Sequence, residues 1–236
     1  MSVIPLVLDQ NSHDARLNAA TWDLVGQPRR ARPEAMDWMF RTAPGPGSEL
    51  LGALGGATVA ELGCGQGTQL AGLAKHGIAR GIGIDVSPVR IHHATTGFSD
   101  VETLEWWLGD AVAIAPHLPP LDAAFSNYGA AWFSDPHRLL PRIAERLKPG
   151  GRLVLSCLAR SAGTPEGRRR LLVRTGPARS MWTVRWMYSV TGWLRILAES
   201  GFATDYVFRP TDRTNASWGT VVIRARRNGT PRLTTT

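Results

Sequence analysis

Through the middle of the chain, short apolar runs alternate with amphipathic stretches. Residues 58–62 form an apolar run that predicts a strand, and Thr68 to His76 carries helical spacing. Gly81 to Ile84 is a second strand, closed by Asp85. Ser87-Pro88 then supplies an N-cap and a first-turn proline for a helix ending near Gly97. Thr103–Trp107 and Leu121–Ser126 are the third and fourth strands. Asp135-Pro136 opens another helix, whose apolar face is Leu139, Leu140, Ile143, Ala144 and Leu147. Pro141 lies inside that pattern, so a kinked first turn or a regular helix starting only at residue 141 is expected. Lys148-Pro-Gly-Gly151 stops the helix and turns into a fifth strand, Arg152–Cys157. Trp193, Leu194, Leu197 and Ala198 share one helical face ahead of Gly201, and Phe202–Phe208 and Gly219–Arg226 are two further strands.

Regular βα alternation requires a parallel sheet, because each parallel crossover needs a helix. The predicted fold is α/β: a Rossmann-like, doubly wound, seven-stranded and mostly parallel sheet whose last strand is antiparallel. Before it, His13–Val25 reads as a helix with Leu17, Thr21, Leu24 and Val25 along one side, and Pro33–Phe40 reads as a second helix. The expected organisation is an N-terminal helical cap over residues 1–56, a main domain over 57–227 and a tail over 228–236. Residues 158–190 are too many for a simple connection and predict an insertion. They carry Met181, Trp182, Trp186, Met187 and Tyr188.

The chemistry is concentrated between the first two strands. Glu61-Leu-Gly-Cys-Gly-Gln-Gly67 joins strand to helix through three glycines, which let the backbone turn tightly and let a ligand lie against it. Asp85 ends the next strand, where a carboxylate can accept hydrogen bonds from both ribose hydroxyls. This is a nucleoside-cofactor pattern, but not the dinucleotide Gly-x-Gly-x-x-Gly: the third glycine arrives one residue early and Thr68 takes its place. Glu61 beside the loop would also repel a pyrophosphate, whereas it favours a ligand carrying a sulfonium and an ammonium.

With its acid-x-Gly-x-Gly-x-Gly run the segment resembles motif I of the class I S-adenosylmethionine (SAM)-dependent methyltransferases. Asp122 at the head of the fourth strand and Leu-Lys-Pro-Gly-Gly before the fifth extend the resemblance over roughly residues 57–227. It implies a SAM site, with S-adenosylhomocysteine as product, formed by Glu61, Gly63, Cys64, Gly65, Gln66, Gly67, Asp85, Val86, Asp110, Ala111, Ser126 and Asn127. In it Asp110 accepts from the adenine amino group, Cys64 is a small filler, the N-terminal helices close as a lid and the 158–190 insertion is a substrate wall. The aromatic residues expected around the acceptor are Tyr128, Trp132, Phe133, Trp182, Trp186 and Tyr188. A general base is required only for an acceptor protonated at working pH, and His13, Tyr128 and His137 are the candidates. Proximity and orientation supply most of the rate in such a transfer.

Composition narrows the picture further. A 43% hydrophobic content supports a sizeable core. No run of eighteen apolar residues exists, and the N-terminus lacks a basic start and is broken by Pro5, so neither a membrane span nor a signal peptide is expected and the chain is read as cytoplasmic. Two cysteines, Cys64 and Cys157, cannot hold a metal cluster, and adjacent His92-His93 do not face one ligand; no metal is expected. The net charge of +8 is carried almost wholly by arginine, with Lys75 and Lys148 the only lysines, as in a GC-rich bacterial genome. Arginine clusters at 29–32, 168–170 and 224–227 raise a nucleic-acid partner as an alternative. They lack interleaved aromatics, and Ser126-Asn-Tyr-Gly129 stands where base-modifying enzymes of the family carry Asn-Pro-Pro-Tyr. The expectation is methyl transfer to an O, N or C atom of a small aromatic or apolar molecule in bacterial secondary metabolism. An RNA methyltransferase and a non-catalytic SAM-fold binding protein are the alternatives, and monomer and homodimer are both open.

Overall fold

The computed structural model describes residues 12–25, 34–39, 45–158, 160, 163–209 and 219–229. Helix α1 is His13–Trp22. The alternating body follows as β1 Thr58–Leu62, α2 Thr68–Ala74, β2 Arg80–Asp85, α3 Pro88–Gly97, β3 Leu104–Leu108, α4 Ala111–Ile114, β4 Leu121–Asn127, α5 Ala130–Phe133, α6 Pro136–Arg146 and β5 Leu147–Leu158. A hairpin of β6 Gly167–Arg174 and β7 Ser180–Met187 comes next, then α7 Val190–Glu199, β8 Phe202–Phe208 and β9 Thr220–Arg227.

The main sheet has seven strands in the order β3-β2-β1-β4-β5-β9-β8. β9 runs antiparallel to both neighbours, and the pairings among β1 to β5 are parallel. This is the expected doubly wound sheet, and the chain reverses direction across it between β1 and β4, where such folds open a crevice. Alternate side chains of each strand feed opposite faces. Leu62, Ile82, Ile84, Leu153 and Ile223 pack under α4, α6 and α7, with Leu139, Ile143, Trp193 and Leu197. Val59, Phe125, Val154 and Val222 pack under α2 and α3, with Leu70, Leu73, Ile91 and Ala94. Burial on both faces explains why β1 reads as a nearly continuous apolar run.

Four details differ from the sequence expectations. α6 begins at Pro136 and runs through Pro141 without delay. Its sixth residue forfeits one bond, to the carbonyl of an exposed residue, His137, which water can satisfy. Lys148 to Gly151 lies inside β5 as an irregularity: Leu147 pairs with Leu121 and Arg152 with Ala123, so the intervening residues bulge out with Gly150 at φ 75°. Residues 34–39 are not helical; Pro33 and Phe40, the ends of the expected second helix, lie outside the described residues. Here the Glu34 N–H donates to the Thr68 carbonyl at 2.9 Å, and Trp38 is fully buried with Nε1 on the Gly47 carbonyl at 3.0 Å. Finally, α1 buries Ala15, Asn18 and Thr21, whereas Leu24 is exposed. Its inner side meets polar groups of other elements, so the apolar positions did not mark it.

Candidate functional site

The floor of the crevice is the loop from β1 to α2. Gly63, Gly65 and Gly67 have φ of 84°, 55° and 75°, a region closed to most side chains. A Cβ on Gly67 would stand 2.2 Å from the Trp106 ring. One on Gly63 would stand 2.4 Å from the Ala130 nitrogen, and one on Gly129 would stand 2.2 Å from the Leu62 carbonyl oxygen. The loops after β1 and β4 therefore touch backbone to backbone. At Gly65 nothing lies within 4 Å, so that side of the loop is open.

Three carboxyls converge above this floor. Asp85 is fixed from two sides: Gly65 N–H donates to Oδ2 at 2.8 Å and Ser87 N–H to Oδ1 at 2.9 Å. Burial raises its pKa, partly offset by those bonds and by Arg90. Asp110 caps α4, accepting from Val112 N–H at 3.0 Å, and burial raises it as well. Glu61 is buried and accepts from Leu70 N–H at 3.2 Å. Burial pushes its carboxyl well above the ordinary range, and the neighbouring Asp85 charge adds to the shift. No ion pair neutralises Glu61 among the described residues. A buried acid beside a glycine cradle is a poor seat for pyrophosphate and a good one for a cationic nucleoside. The residues present fit SAM: Asp85 would accept from the ribose hydroxyls, Asp110 from the adenine amino group, and Glu61 would face the positively charged end. The Cys64 thiol is also pushed well up by burial, which makes it inert and suits a filler.

α1 roofs the site. Ser12, Asp14, Ala15, Asn18 and Trp22 line a cavity of about 920 Å³ whose other walls include Glu61, Gly63, Cys64, Gly65, Gln66, Asp85, Val86, Asp110, Ala111, Asn127, Tyr128, Phe133 and Trp186. Two expected cofactor residues stand outside that lining. Gly67 is the N-cap of α2 under Trp106, and Ser126 is buried with its hydroxyl accepting from Ala131 N–H at 3.0 Å. Asn127 joins a polar network: Nδ2 donates to the Asp37 carbonyl at 2.7 Å and to Gln69 Oε1 at 2.8 Å, and Ser156 donates to its Oδ1.

The expected acceptor aromatics divide. Tyr128, Phe133 and Trp186 line the cavity; Trp132, Trp182 and Tyr188 do not. Trp132 is buried beneath the Arg185 guanidinium, 4.4 Å from its ring centre. Trp182 is 48% exposed on the hairpin, with the Arg170 guanidinium over its ring. Tyr188 packs on Trp193, with its hydroxyl 3.4 Å from His137 Nε2. His137 and His13 are exposed and off the cavity lining. Tyr128 lines it at φ 49°, but its hydroxyl is bonded to Thr220 and burial raises its pKa to about 12, so a phenolate base is disfavoured near neutral pH. Asn18, Trp22, Glu34, Asp37, Gln69 and Arg138 are lining residues that sequence reasoning missed. Trp22, which meets Phe133 edge-on at 5.2 Å, carried the only usable signal, an aromatic on the expected lid.

The model of a methyltransferase-domain family matches residues 32–207. Trans-aconitate 2-methyltransferase of Deinococcus radiodurans is 33% identical over 120 residues, which are 50% of this chain and 43% of that protein, so the match spans less than half of the relative's length. Among solved structures, a SAM-dependent methyltransferase of Mesorhizobium loti aligns with a TM-score of 0.61 at 22% identity, over 75% of this chain and 94% of the other. A SAM-bound amino pentose methyltransferase of Micromonospora echinaspora, involved in calicheamicin biosynthesis, aligns at 0.54 and 19% identity, over 73% and 84%. Both structural likenesses show the fold. With three-quarters of its length inside the family match and the seven-stranded sheet and glycine loop of that fold in place, the chain belongs to the class I SAM-dependent methyltransferases.

Proposed function

We propose that the protein transfers the methyl group of SAM to an O, N or C atom of a small aromatic or apolar molecule. The observation that carries this reading is the continuity of the cavity. It runs from Glu61, Asp85 and Asp110 to Trp22, Tyr128, Phe133 and Trp186 beneath α1. A volume of about 920 Å³ accommodates a cofactor together with a modest acceptor. SAM supplies an activated methyl group for an in-line displacement. The chain's own residues hold the ribose and adenine, align the acceptor against the aromatic wall and exclude water. No histidine of the described residues lines the cavity, but the carboxyls of Asp14, Glu34, Asp37 and Asp135 do, so the site suits a neutral amine that needs no base or an acceptor that a carboxylate can deprotonate. The family likeness to an enzyme of calicheamicin biosynthesis supports a setting in bacterial secondary metabolism, and the relative's name puts trans-aconitate among the acceptors to try.

The nucleic-acid alternative draws less support. Arg168 is paired with Asp14 at 2.5 Å, and Arg224 and Arg226 both hold Asp205, at 2.7 and 2.6 Å; Arg29, Arg30 and Arg32 lie outside the described residues. The test is a metabolite screen for a SAM-dependent mass gain of one methyl group, followed by activity from about 50 to 300 mM salt. A flat salt profile is expected. A steep fall with competition by RNA or DNA would instead mark a phosphate-contacting substrate.

A further inference from the structure

α1 covers the crevice, so a nucleoside seated between Asp85 and Asp110 lies beneath it. Besides a single bond from the buried Thr21 hydroxyl to the Trp182 carbonyl at 2.9 Å, its polar contacts with the body are of two kinds. Ser12 donates to Asp110 at 3.4 Å, Asp14 pairs with Arg168, Ser87 donates to Asp23 at 2.5 Å, and Arg90 donates to the Trp22 and Val25 carbonyls. These lie toward the helix ends and none is fully buried, so water can replace much of what each provides. At the centre stands Asn18, 3% exposed. Its Nδ2 donates to the Phe133 carbonyl at 3.1 Å and to the Val184 carbonyl at 3.3 Å. Its Oδ1 accepts from Thr183 Oγ1 at 2.7 Å and from Val184 N–H at 2.9 Å. A side-chain amide has two donors and two acceptor sites, and here all four are used. Toward Val184 it presents the donor–acceptor pair that a neighbouring strand would present, on the edge of β7 that β6 leaves free. One side chain thus joins the roof helix, α5 and the hairpin.

We propose that Asn18 is a positioning residue, the latch that closes α1 over the cofactor and sets how fast SAM enters and S-adenosylhomocysteine leaves. Opening α1 separates all four bonds together and exposes buried carbonyls and an amide whose partner among the described residues is Asn18, so the closed arrangement is discrete. The latch also fixes Phe133 and the strand carrying Trp186, so closing over the cofactor and shaping the acceptor wall are one event. This inference rests on the SAM reading but not on any identity of the acceptor.

The test uses the full chain and S-adenosylhomocysteine as probe. Asn18→Asp keeps size and the two accepting contacts but turns an oxygen toward the Phe133 and Val184 carbonyls. Its dissociation of the probe, followed by stopped-flow tryptophan fluorescence, should speed up about tenfold or more. Amide hydrogen exchange should rise in α1 while that of β1, β4 and β5 stays at the wild-type level. Thr183→Val removes one of the four bonds and should move both readouts the same way by less. An unchanged dissociation rate, or exchange rising equally in α1 and the sheet, would overturn the latch. Should Asn18→Asp fail to fold, the same two criteria apply to Thr183→Val. Absence of probe binding by the wild type would overturn the cofactor reading instead, and the exchange of α1 in the unliganded variants would still judge the latch.

Discussion

The two ends of the cavity are made of different materials. At the cofactor end the floor is main chain: Gly63 and Gly65 at positive φ, with the Gly65 and Ser87 N–H groups that hold the Asp85 carboxylate. At the acceptor end the walls are side chains brought from far apart in sequence, such as Asn18 against Phe133 and Val184, and Trp22 against Phe133. A main-chain wall admits few substitutions, because the conformation itself is the binding element. A side-chain wall can be rewritten one residue at a time, which suits a fold that serves many acceptors with one cofactor.

The sharpest way to break the contrast is to attack the main chain. Gly67→Val places a branched side chain at φ 75° against the Trp106 ring. It should lower stability by about 3–5 kcal/mol, read from urea unfolding. A loss under about 1 kcal/mol would mean that the loop is more yielding than its geometry implies. Next in size, Asp85→Ala should weaken SAM binding by roughly 1.5–3 kcal/mol, because it removes the proposed ribose acceptor together with the group that fixes Gly65. Calorimetry with SAM and, in parallel, with NAD decides this. Tight NAD binding by the wild type would reverse the reading of the loop.

A third effect depends on pH. Burial holds the Glu61 carboxyl well above its ordinary value of 4.5. In the ligand-free protein its contribution to stability is whole below that ordinary value and is lost as pH rises through the raised folded-state value, because the folded chain keeps the proton longer than the unfolded one. A bound cation favours the ionised form, so SAM binding releases a proton. Affinity should therefore climb with pH across the same window, by up to about tenfold per unit. Glu61→Gln should flatten that climb and steady the ligand-free protein at alkaline pH; an equal slope in the variant would assign the titration elsewhere. The smallest effect sharpens the acceptor end. Trp186→Ala should raise the acceptor KM several-fold, on the order of 1 kcal/mol, with SAM affinity unchanged. Trp182→Ala, farther along the same strand and off the cavity lining, should leave both as they were.

That contrast also explains what could be read from the sequence. The cofactor end is encoded locally: glycine spacing, an acid closing a strand, Ser87-Pro88 and Asp135-Pro136 as helix starts. Local signals place residues that are near one another in the chain, and those expectations agree with the helix and strand positions. The acceptor end is encoded over long distances. Asn18 sits mid-helix as an unremarked weak helix former, and nothing nearby announces that residues more than a hundred positions away will use all four of its bonding positions. The 34–39 segment has helical apolar spacing, yet its backbone is taken by Thr68 and its Trp38 by the core. Trp182 and Trp186 share strand parity, and only the course of the hairpin decides that one meets water and the other the cavity.

The backbone contact between Gly63 and Gly129 ties two distant segments of the chain together. Each glycine occupies the space that a side chain on the other's loop would need. A larger residue at either position requires the facing loop to retreat, and the retreat moves the cofactor floor. The two positions are therefore sterically one unit, carried on separate segments of the chain. A change at Trp186 or Trp22 alters one patch of wall, whereas a change at either glycine asks two loops to move at once.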